Sequence, residues 1–368
     1  MPEDACWRWL GSMLRTLKLS QFRCFDSLRL EVGPGLTAFI GGNAQGKTSI
    51  LEAVCVLLRL QSPRTASLND LIRFDQSGFG LAGTWGDQSL SIVNEVKRRR
   101  KLYHGENQLE RSREYLEHSG LVVWMGNDDL GLITGSGSRR RRYLDFQASQ
   151  LYPNYRVALR SYELALRSRN ELLKDMRPDW AQIDAYTGVL LEHGNQLTQQ
   201  RQALVESLNG PICEAQQAIS GSGEVLSINY VPGAREDFAE TLASMRERDQ
   251  RRGQTNAGPH RDEVGVLING RPASKFASEG QQRTIALALK LGQMELLRAR
   301  REQTPILLVD DVFGELDPKR RDALMQALPS ESQKLITTTS LRWLPDEGGL
   351  QATVVDVAEG AAVPRGPI

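Results

Sequence analysis

The chain has 368 residues, enough for two or three folding units around a large core. Forty per cent of the residues are hydrophobic and 25% charged, with a net charge of only +1, ordinary values for a soluble globular protein. No stretch reaches the ~18–20 uncharged apolar residues of a membrane span, no signal-peptide pattern opens the chain, and Cys6, Cys24, Cys55 and Cys213 have no paired spacing for zinc or redox work, so a cytoplasmic protein with reduced thiols is expected.

Residues 1–12 carry no pattern, and Met13 reads as the natural start, with a disordered or non-native extension before it. Met13 to Leu19 alternates like the beginning of a strand, and Leu36–Ile40 reads as a short buried strand. Next comes Gly41-Gly42-Asn43-Ala44-Gln45-Gly46-Lys47-Thr48, which fits G-x-x-x-x-G-K-[ST], and then a helical run from Ser49 to Leu58. Strand, glycine-rich turn and helix together make a phosphate cradle, in which loop N–H groups and the helix N-terminus face an anion. Lys47 is placed for the β- and γ-phosphates and the Thr48 hydroxyl for Mg²⁺. The chain is therefore expected to bind a nucleoside triphosphate.

Ser89–Val96 and Lys101–Leu109 look like parts of a hairpin. Positive charge is clumped at Lys97, Arg98, Arg99, Arg100 and Lys101, and again at Arg139, Arg140, Arg141 and Arg142. Taken singly, either run reads best as a solvated surface, whereas two such dense runs shift the balance towards a polyanion such as nucleic acid. From about Leu151 to Leu208 the period becomes helical. Leu159, Tyr162, Leu166 and Leu173 fit one apolar face, and Ile183, Tyr186, Leu190, Leu197, Leu204 and Leu208 another, with Pro178 between them.

Ser278-Glu-Gly280-Gln281 opens a helix whose serine N-cap and glycine leave its N-terminus accessible to a phosphate oxygen. Pro305 to Asp311 is an apolar strand ending in two carboxylates. In P-loop enzymes such a strand is expected beside the cradle strand. Asp310 would hold the Mg²⁺ shell, and Asp311 would orient or deprotonate the attacking water. The tail from Val357 onward reads as frayed.

The order of cradle, Ser-x-Gly-Gln and acidic strand resembles the ATP-binding-cassette ATPases, in which the Ser-x-Gly-Gln helix of one subunit completes the cradle of another. That resemblance, and no base-reading residue, favours ATP over GTP. It narrows to the RecF family of bacterial DNA repair proteins and covers nearly the whole chain from Met13. The segments that carry it are Leu19-Ser-Gln-Phe-Arg23-Cys-Phe25, the cradle, Gly135 to Asp145, Arg169 to Lys174, Gly258-Pro-His-Arg-Asp262, Ser278 to Thr284 with Lys290, Asp310 to Asp317, and Ile336-Thr-Thr-Thr339. Departures are Gly126-Asn-Asp-Asp-Leu130, where the family usually reads Ser-Pro-Glu-Asp-Leu, and Ser49 in place of the common Asn. Asp311 stands where transporters carry Glu, which is compatible with slow, timing-type hydrolysis.

The resemblance implies an α/β, P-loop, ABC-type ATPase head assembled from the two chain ends, with an inserted mainly helical lobe. Residues 13–120 and 258–368 are expected to form the head and 121–257 the lobe. ATP would contact Gly41 to Ser49 and Arg23 in one copy and Ser278, Gly280 and Gln281 in another, with Thr48 and Asp310 on Mg²⁺ and with Lys47 and Asp311 catalytic. The implied protein is an ATP-dependent homodimer and weak ATPase that binds DNA at single-strand gaps through Arg139 to Arg142 and Lys97 to Lys101. It would work with RecO and RecR to load RecA in recombinational repair and SOS induction. Competing expectations are an ABC transporter subunit, disfavoured by the basic runs, and a P-loop small-molecule kinase, which has no use for Ser278 to Gln281. A long-armed chromosome-maintenance ATPase would need hundreds of heptad residues that this chain lacks.

Overall fold

A computed structural model describes residues 13–221, 223–234, 237–341 and 352–367; the expectation for residues 1–12 lies outside them. The chain divides into two units, one running to Asn127 and resuming at Leu297, the other spanning Asp128–Leu296.

In the first unit, two sequence patterns produce two sheets. Burial on one face marks β1 (Leu14–Phe22), with Leu14, Leu17, Leu19 and Phe22 inside; it pairs antiparallel with β2 (Phe25–Glu31) and with β4 (Gly78–Trp85), whose burial alternates strictly. Adding β5 (Gln88–Glu95), β6 (Lys101–His104) and β7 (Asn107–Leu109) gives a six-stranded antiparallel sheet in the order β2-β1-β4-β5-β6-β7. This is the expected hairpin region. Near-continuous burial instead marks β3 (Leu36–Ile40), β8 (Val122–Gly126), β12 (Ile306–Asp310) and β13 (Lys334–Thr338), as in strands covered on both faces; the first three are mostly apolar, whereas β13 buries Lys334, Thr337 and Thr338 beside Leu335 and Ile336. With β14 (Ala352–Ala358) they form a parallel sheet, closed by the antiparallel edge strand β15 (Ala361–Pro367), in the order β15-β14-β3-β13-β12-β8.

Helix α1 (Lys47–Arg59) touches strands of both sheets and is buried on every side from Ser49 to Arg59. That explains why its apolar residues do not keep to one stripe. The buried Gln333 ties the two sheets together: its amide donates to the Leu14 and Gly33 carbonyls at 2.8 and 2.9 Å and accepts the Leu14 N–H at 2.8 Å.

Two expectations are corrected here. The acidic strand β12 does not lie beside the cradle strand β3, because β13 pairs with both and separates them. The tail from Val357 is not frayed: β14 and β15 form a hairpin that buries Val354, Val355 and Val357, with an Arg365–Asp356 ion pair at 2.5 Å.

The second unit contains α2 (Gly137–Leu151), α3 (Tyr155–Leu172), α4 (Trp180–Ser220) and most of α5 (Glu279–Arg301), within which the division falls. A short α6 (Pro318–Ala327) belongs to the first unit. Asp179 caps α4 by accepting the Gln182 N–H at 3.2 Å, and Gly221 ends it in the left-handed region at φ 60°. Ile183, Leu190, Leu197, Leu204 and Leu208 are fully buried along α4, as expected, but Tyr186 is 37% exposed. On α3 the buried stripe is Tyr155, Ala158, Tyr162, Ala165 and Arg169. Leu159 and Leu166 flank it, half-buried.

A three-stranded antiparallel sheet, β11-β10-β9, completes this unit from β9 (Leu226–Val231), β10 (Glu263–Ile268) and β11 (Arg271–Pro272). Along the outer edge of β9, the Asn209 side chain of α4 accepts the Ile228 N–H at 2.8 Å and donates to the Ile228 carbonyl at 3.0 Å. The expected boundaries at 120/121 and 257/258 therefore shift. β8 belongs to the first unit through its pairing with β12, and residues 258–296 belong to the second through the pairing of β10 with β9. Among the described residues no helix is long and apolar enough to cross a membrane.

Candidate functional site

The cradle loop is shaped by backbone crowding. A side chain at Gly41 would place its Cβ 2.1 Å from the Val357 carbonyl oxygen, and one at Gly46, already at φ 103°, would meet Cys24 Sγ at 2.7 Å and the Phe25 ring at 2.8 Å. Gln45 Oε1 accepts the Glu359 N–H at 2.7 Å, tying the loop to the β14–β15 turn. The α1 N-terminus has no side-chain cap and no acidic residue in its first turn, which leaves its N–H groups and positive dipole end for an anion. Lys47 Nζ donates to the Gly41 and Gly42 carbonyls, each at 2.7 Å. Burial lowers its pKa, while Asp311 and Asp310 pull the other way.

Thr48 Oγ1 and Thr337 Oγ1 both donate to Asp310 Oδ1 at 2.7 Å. The intervening strand β13 thus supplies the hydroxyl that keeps Asp310 within reach of the cradle. Asp311 is held at φ 54° with its N–H on Thr337 Oγ1 at 3.0 Å and on the Thr337 carbonyl at 3.2 Å. Burial raises its carboxyl pKa, and the Asp310 and Glu315 charges add to this against Lys47. A hydroxyl and a carboxylate converging beside a phosphate cradle suit Mg²⁺, a hard cation that takes few protein oxygens and completes its shell with phosphate and water. Among the described residues no group of three or more His, Cys, Asp or Glu side chains is set to hold a metal by itself.

Arg23 is placed differently from the simple expectation of a nucleotide ligand. Its guanidinium forks onto the buried Glu52 of α1 at 2.9 and 3.0 Å and donates to the Asp70 carbonyl at 3.0 Å. Glu52 also takes Ser62 at 2.6 Å and Arg64 at 3.6 Å. Arg23 is thus first a brace for the helix behind the cradle.

In the second unit, Ser278 and Gln281 form a reciprocal capping box at the head of α5: the Ser278 N–H donates to Gln281 Oε1 at 2.7 Å, and the Gln281 N–H to Ser278 Oγ at 3.3 Å. The S-x-x-Q spacing was readable as this box. Glu279 and Gly280, the first two helical residues, retain N–H groups with no intrahelical acceptor. Further along α5, Lys290 pairs with Asp129 at 2.8 Å and lies over the Tyr143 ring at 5.2 Å. Tyr143 donates to the Leu289 carbonyl at 2.7 Å, so it is a packing residue.

The four arginines of α2 do not form one patch. Successive helical positions turn by about 100°, so four in a row point in different directions. Arg139 and Arg142 are exposed. Arg140 pairs with Glu263 at 2.8 Å and donates to the Gly135 carbonyl at 2.8 Å, while Arg141 donates to the Asp262 carbonyl at 2.6 Å. Lys97, Arg98, Arg99 and Lys101, around the β5–β6 turn of the first unit, are exposed and Arg100 is half-buried. Arg98 pairs with Glu95 at 2.9 Å and Arg99 donates to the Glu110 carbonyl at 2.5 Å.

Sequence reasoning missed the centre of the second unit. Arg201 of α4 is 2% exposed and bonds Asp145 of α2 and Asp262, each at 2.7 Å, with the Pro259 carbonyl also at 2.7 Å. Tyr155 and Tyr230 donate to Asp145 and Asp262 respectively. Beside this network, neutral His260 accepts from the Tyr162 hydroxyl at Nδ1, 2.7 Å away, and donates from Nε2 to the Thr255 carbonyl at 3.0 Å. Burial above all, with the Arg261 and Arg141 charges behind it, takes its pKa down from 6.5 to about 4.

A depressed histidine pKa means that the unfolded chain binds the proton first. The contribution of His260 is thus complete above pH 6.5 and lost as pH falls towards 4. Urea unfolding between these limits should register a loss of up to about 3 kcal/mol. The His260→Asn variant should be less stable at pH 7 and show a flatter pH profile. Equal slopes would mean that His260 does not titrate in this window.

A family model described as an AAA domain matches residues 16–204. A DNA replication and repair protein RecF from Geobacillus kaustophilus is 34% identical over 366 residues, covering 95% of this chain and 98% of its own. The solved structure of the recombination mediator protein RecF-ATP in the RecFOR pathway superposes with a TM-score of 0.84 at 29% identity, over 95% of this chain and 97% of that one. An Smc head bound to the C-winged helix domain of ScpA, at 15% identity and TM-score 0.51, covers 95% of this chain and 97% of its own and shares the fold alone. The parallel sheet, the glycine loop and the helical unit between the two chain ends are an ABC-type ATPase head with its lobe, and the chain belongs to the RecF family of DNA replication and repair proteins.

Proposed function

We propose that the chain is an ATP-driven DNA clamp of recombinational repair in the cytoplasm. ATP lies on the loop from Gly41 to Ser49, with Lys47 turning from its two loop carbonyls to the β- and γ-phosphates. Thr48 and Asp310 hold Mg²⁺, which when bound neutralises charge on the phosphate oxygens. Asp311, whose raised pKa suits a proton acceptor better than a fully solvated aspartate would, orients the attacking water in a slow hydrolysis that resets the switch. Ser278, Gly280 and Gln281 of a second copy seal the triphosphate, so ATP supplies the differential affinity that closes a head-to-tail dimer. Arg23 sets the rim through Glu52.

The observation that carries this reading is the 2.7 Å contact of Thr48 with Asp310 beside the lysine loop, in a chain that also holds a capped Ser278 helix with two open N–H groups. A P-loop kinase gives that helix no role. With RecO and RecR as partners, the closed dimer would sit at single-strand gaps and promote RecA loading, with consequences for SOS induction.

Sedimentation with ATP, Mg²⁺ and gapped duplex tests the proposal. The chain should dimerise only with nucleotide, and the dimer should carry DNA; nucleotide-independent assembly would reject the switch. DNA contacts are assigned to the exposed Arg139 and Arg142 and to Lys97, Arg98, Arg99 and Lys101, with Arg140, Arg141 and Arg100 in support. Contacts of this kind are to backbone phosphates, with little sequence preference. The double charge reversal Arg139→Glu/Arg142→Glu should lower duplex affinity at least tenfold and reduce the salt slope by about 2, with ATP binding intact. An unchanged salt slope would remove these arginines from the DNA surface.

A further inference from the structure

The Ser278 helix is held in its capped form by a residue far away in sequence. Gln281 Nε2 donates to Glu224 Oε1 at 2.5 Å, while the other amide atom of Gln281 accepts the Ser278 N–H. Glu224 is in turn held by Gln216 of α4, whose Nε2 donates to Oε2 at 3.2 Å and whose side chain is fully buried. A single line of hydrogen bonds thus runs from Gln216 through Glu224 and Gln281 to Ser278.

We propose that Glu224 is a positioning residue for the composite nucleotide pocket, holding the Ser278 capping box in the geometry that receives a phosphate oxygen of the ATP bound by a second copy. This role rests on the dimer reading given above. The box occupies two N–H groups, those of Ser278 and Gln281, and thereby fixes which remain for a ligand: those of Glu279 and Gly280, with the Ser278 hydroxyl beside them. The Gln281 N–H reaches Ser278 Oγ only at 3.3 Å, a weak bond that by itself leaves the serine rotamer poorly determined. Anchoring the far end of the Gln281 amide removes that freedom before the phosphate arrives, so less order has to be created on closure.

The helix itself does not depend on Glu224. Gly292 of α5 packs against Ile212 of α4 so closely that a Cβ there would lie 2.5 Å from Ile212 Cγ2 and 2.7 Å from its backbone nitrogen. That contact fixes α5 on α4 whether or not the hydrogen-bond line is present. The carboxylate is used here as a hydrogen-bond acceptor, and its charge is not required. Gln216 Oε1 is buried and accepts no hydrogen bond, so after an amide flip it can take the N–H that Glu224→Gln introduces.

The test compares the full-length wild type with Glu224→Ala and Glu224→Gln, reading fluorescent ATP affinity at monomeric concentrations, thermal melting, and ATP-driven dimerisation by sedimentation. Glu224→Ala should bind the ATP probe within twofold of wild type and stay folded at the assay temperature, with a melting point lowered by a few degrees at most for the unpaired Gln216 amide, yet need at least tenfold more protein for half-dimerisation. Glu224→Gln should dimerise within twofold of wild type. Normal dimerisation by Glu224→Ala, or failure of Glu224→Gln to recover it, overturns the positioning role while leaving the composite pocket standing. A wild-type chain that stays monomeric with ATP rejects the pocket itself and this role with it.

Discussion

Replacing Lys47 with alanine is expected to weaken ATP binding by about a hundredfold, from the loss of one or two charge-assisted hydrogen bonds of about 1.5–3 kcal/mol each. The fold should survive. Lys47 Nζ rests on the Gly41 and Gly42 carbonyls, and those oxygens, on a loop end where Gly41 is half-buried and Gly42 exposed, can turn to water when the ammonium is removed. Burial already disfavours the Lys47 charge, so a triphosphate that restores its partners gains more there than it would from a solvated lysine. Titration calorimetry with ATP, alongside a melting curve, separates the two effects. Affinity within threefold of wild type would exclude Lys47 as a phosphate ligand. A large fall in melting temperature would instead make it a structural lysine.

The largest stability effect is expected at Arg201. Burial alone would favour a neutral guanidine there, but Asp145, Tyr155 and Asp262 together hold the group well above its ordinary pKa. Arg201→Met leaves two carboxylates in the interior without their cation, and breaking a buried pair from one side costs about 3–5 kcal/mol. Urea unfolding followed by circular dichroism should show a loss of that size. Arg201→Lys should recover only part of it, because a point charge cannot reach both carboxylates and the Pro259 carbonyl as the planar fork does. A loss below about 1 kcal/mol would mean that the carboxylates are hydrated or protonated in the folded chain, and the network would then be decoration on a core held by its leucines.

What the sequence disclosed follows the locality of each interaction. The cradle was legible because its glycines, Lys47 and Thr48 act within eight consecutive positions, and each has one chemical reason to be there. The α4 stripe was legible for the same kind of reason, since helical periodicity is local. Strand order was not, because Ile306–Asp310 pairs with Lys334–Thr338 and only through it approaches Leu36–Ile40, a choice made by distant segments. The reading of the tail failed through its glycines and prolines, which are tolerated on an edge strand such as β15. The arginine run misled in another way: density along the chain says nothing about direction around a helix, and Arg140 and Arg141 spend their donors on Glu263, Gly135 and Asp262. Glu224 and Arg201 gave no signal, since their partners lie 57 and 61 residues away.

The Asn209 amide on the margin of β9 has a consequence for how copies of this chain can meet. A bare strand margin is an invitation to any extended peptide, and such adhesion ignores nucleotide altogether. By presenting one carbonyl oxygen and one N–H in the spacing of a neighbouring backbone, Asn209 acts as a stopper at Ile228 and denies a stranger its first two rungs. Under the proposed clamp, association would then be left to surfaces that a ligand can switch on and off, which a protein that lets go of its partner requires.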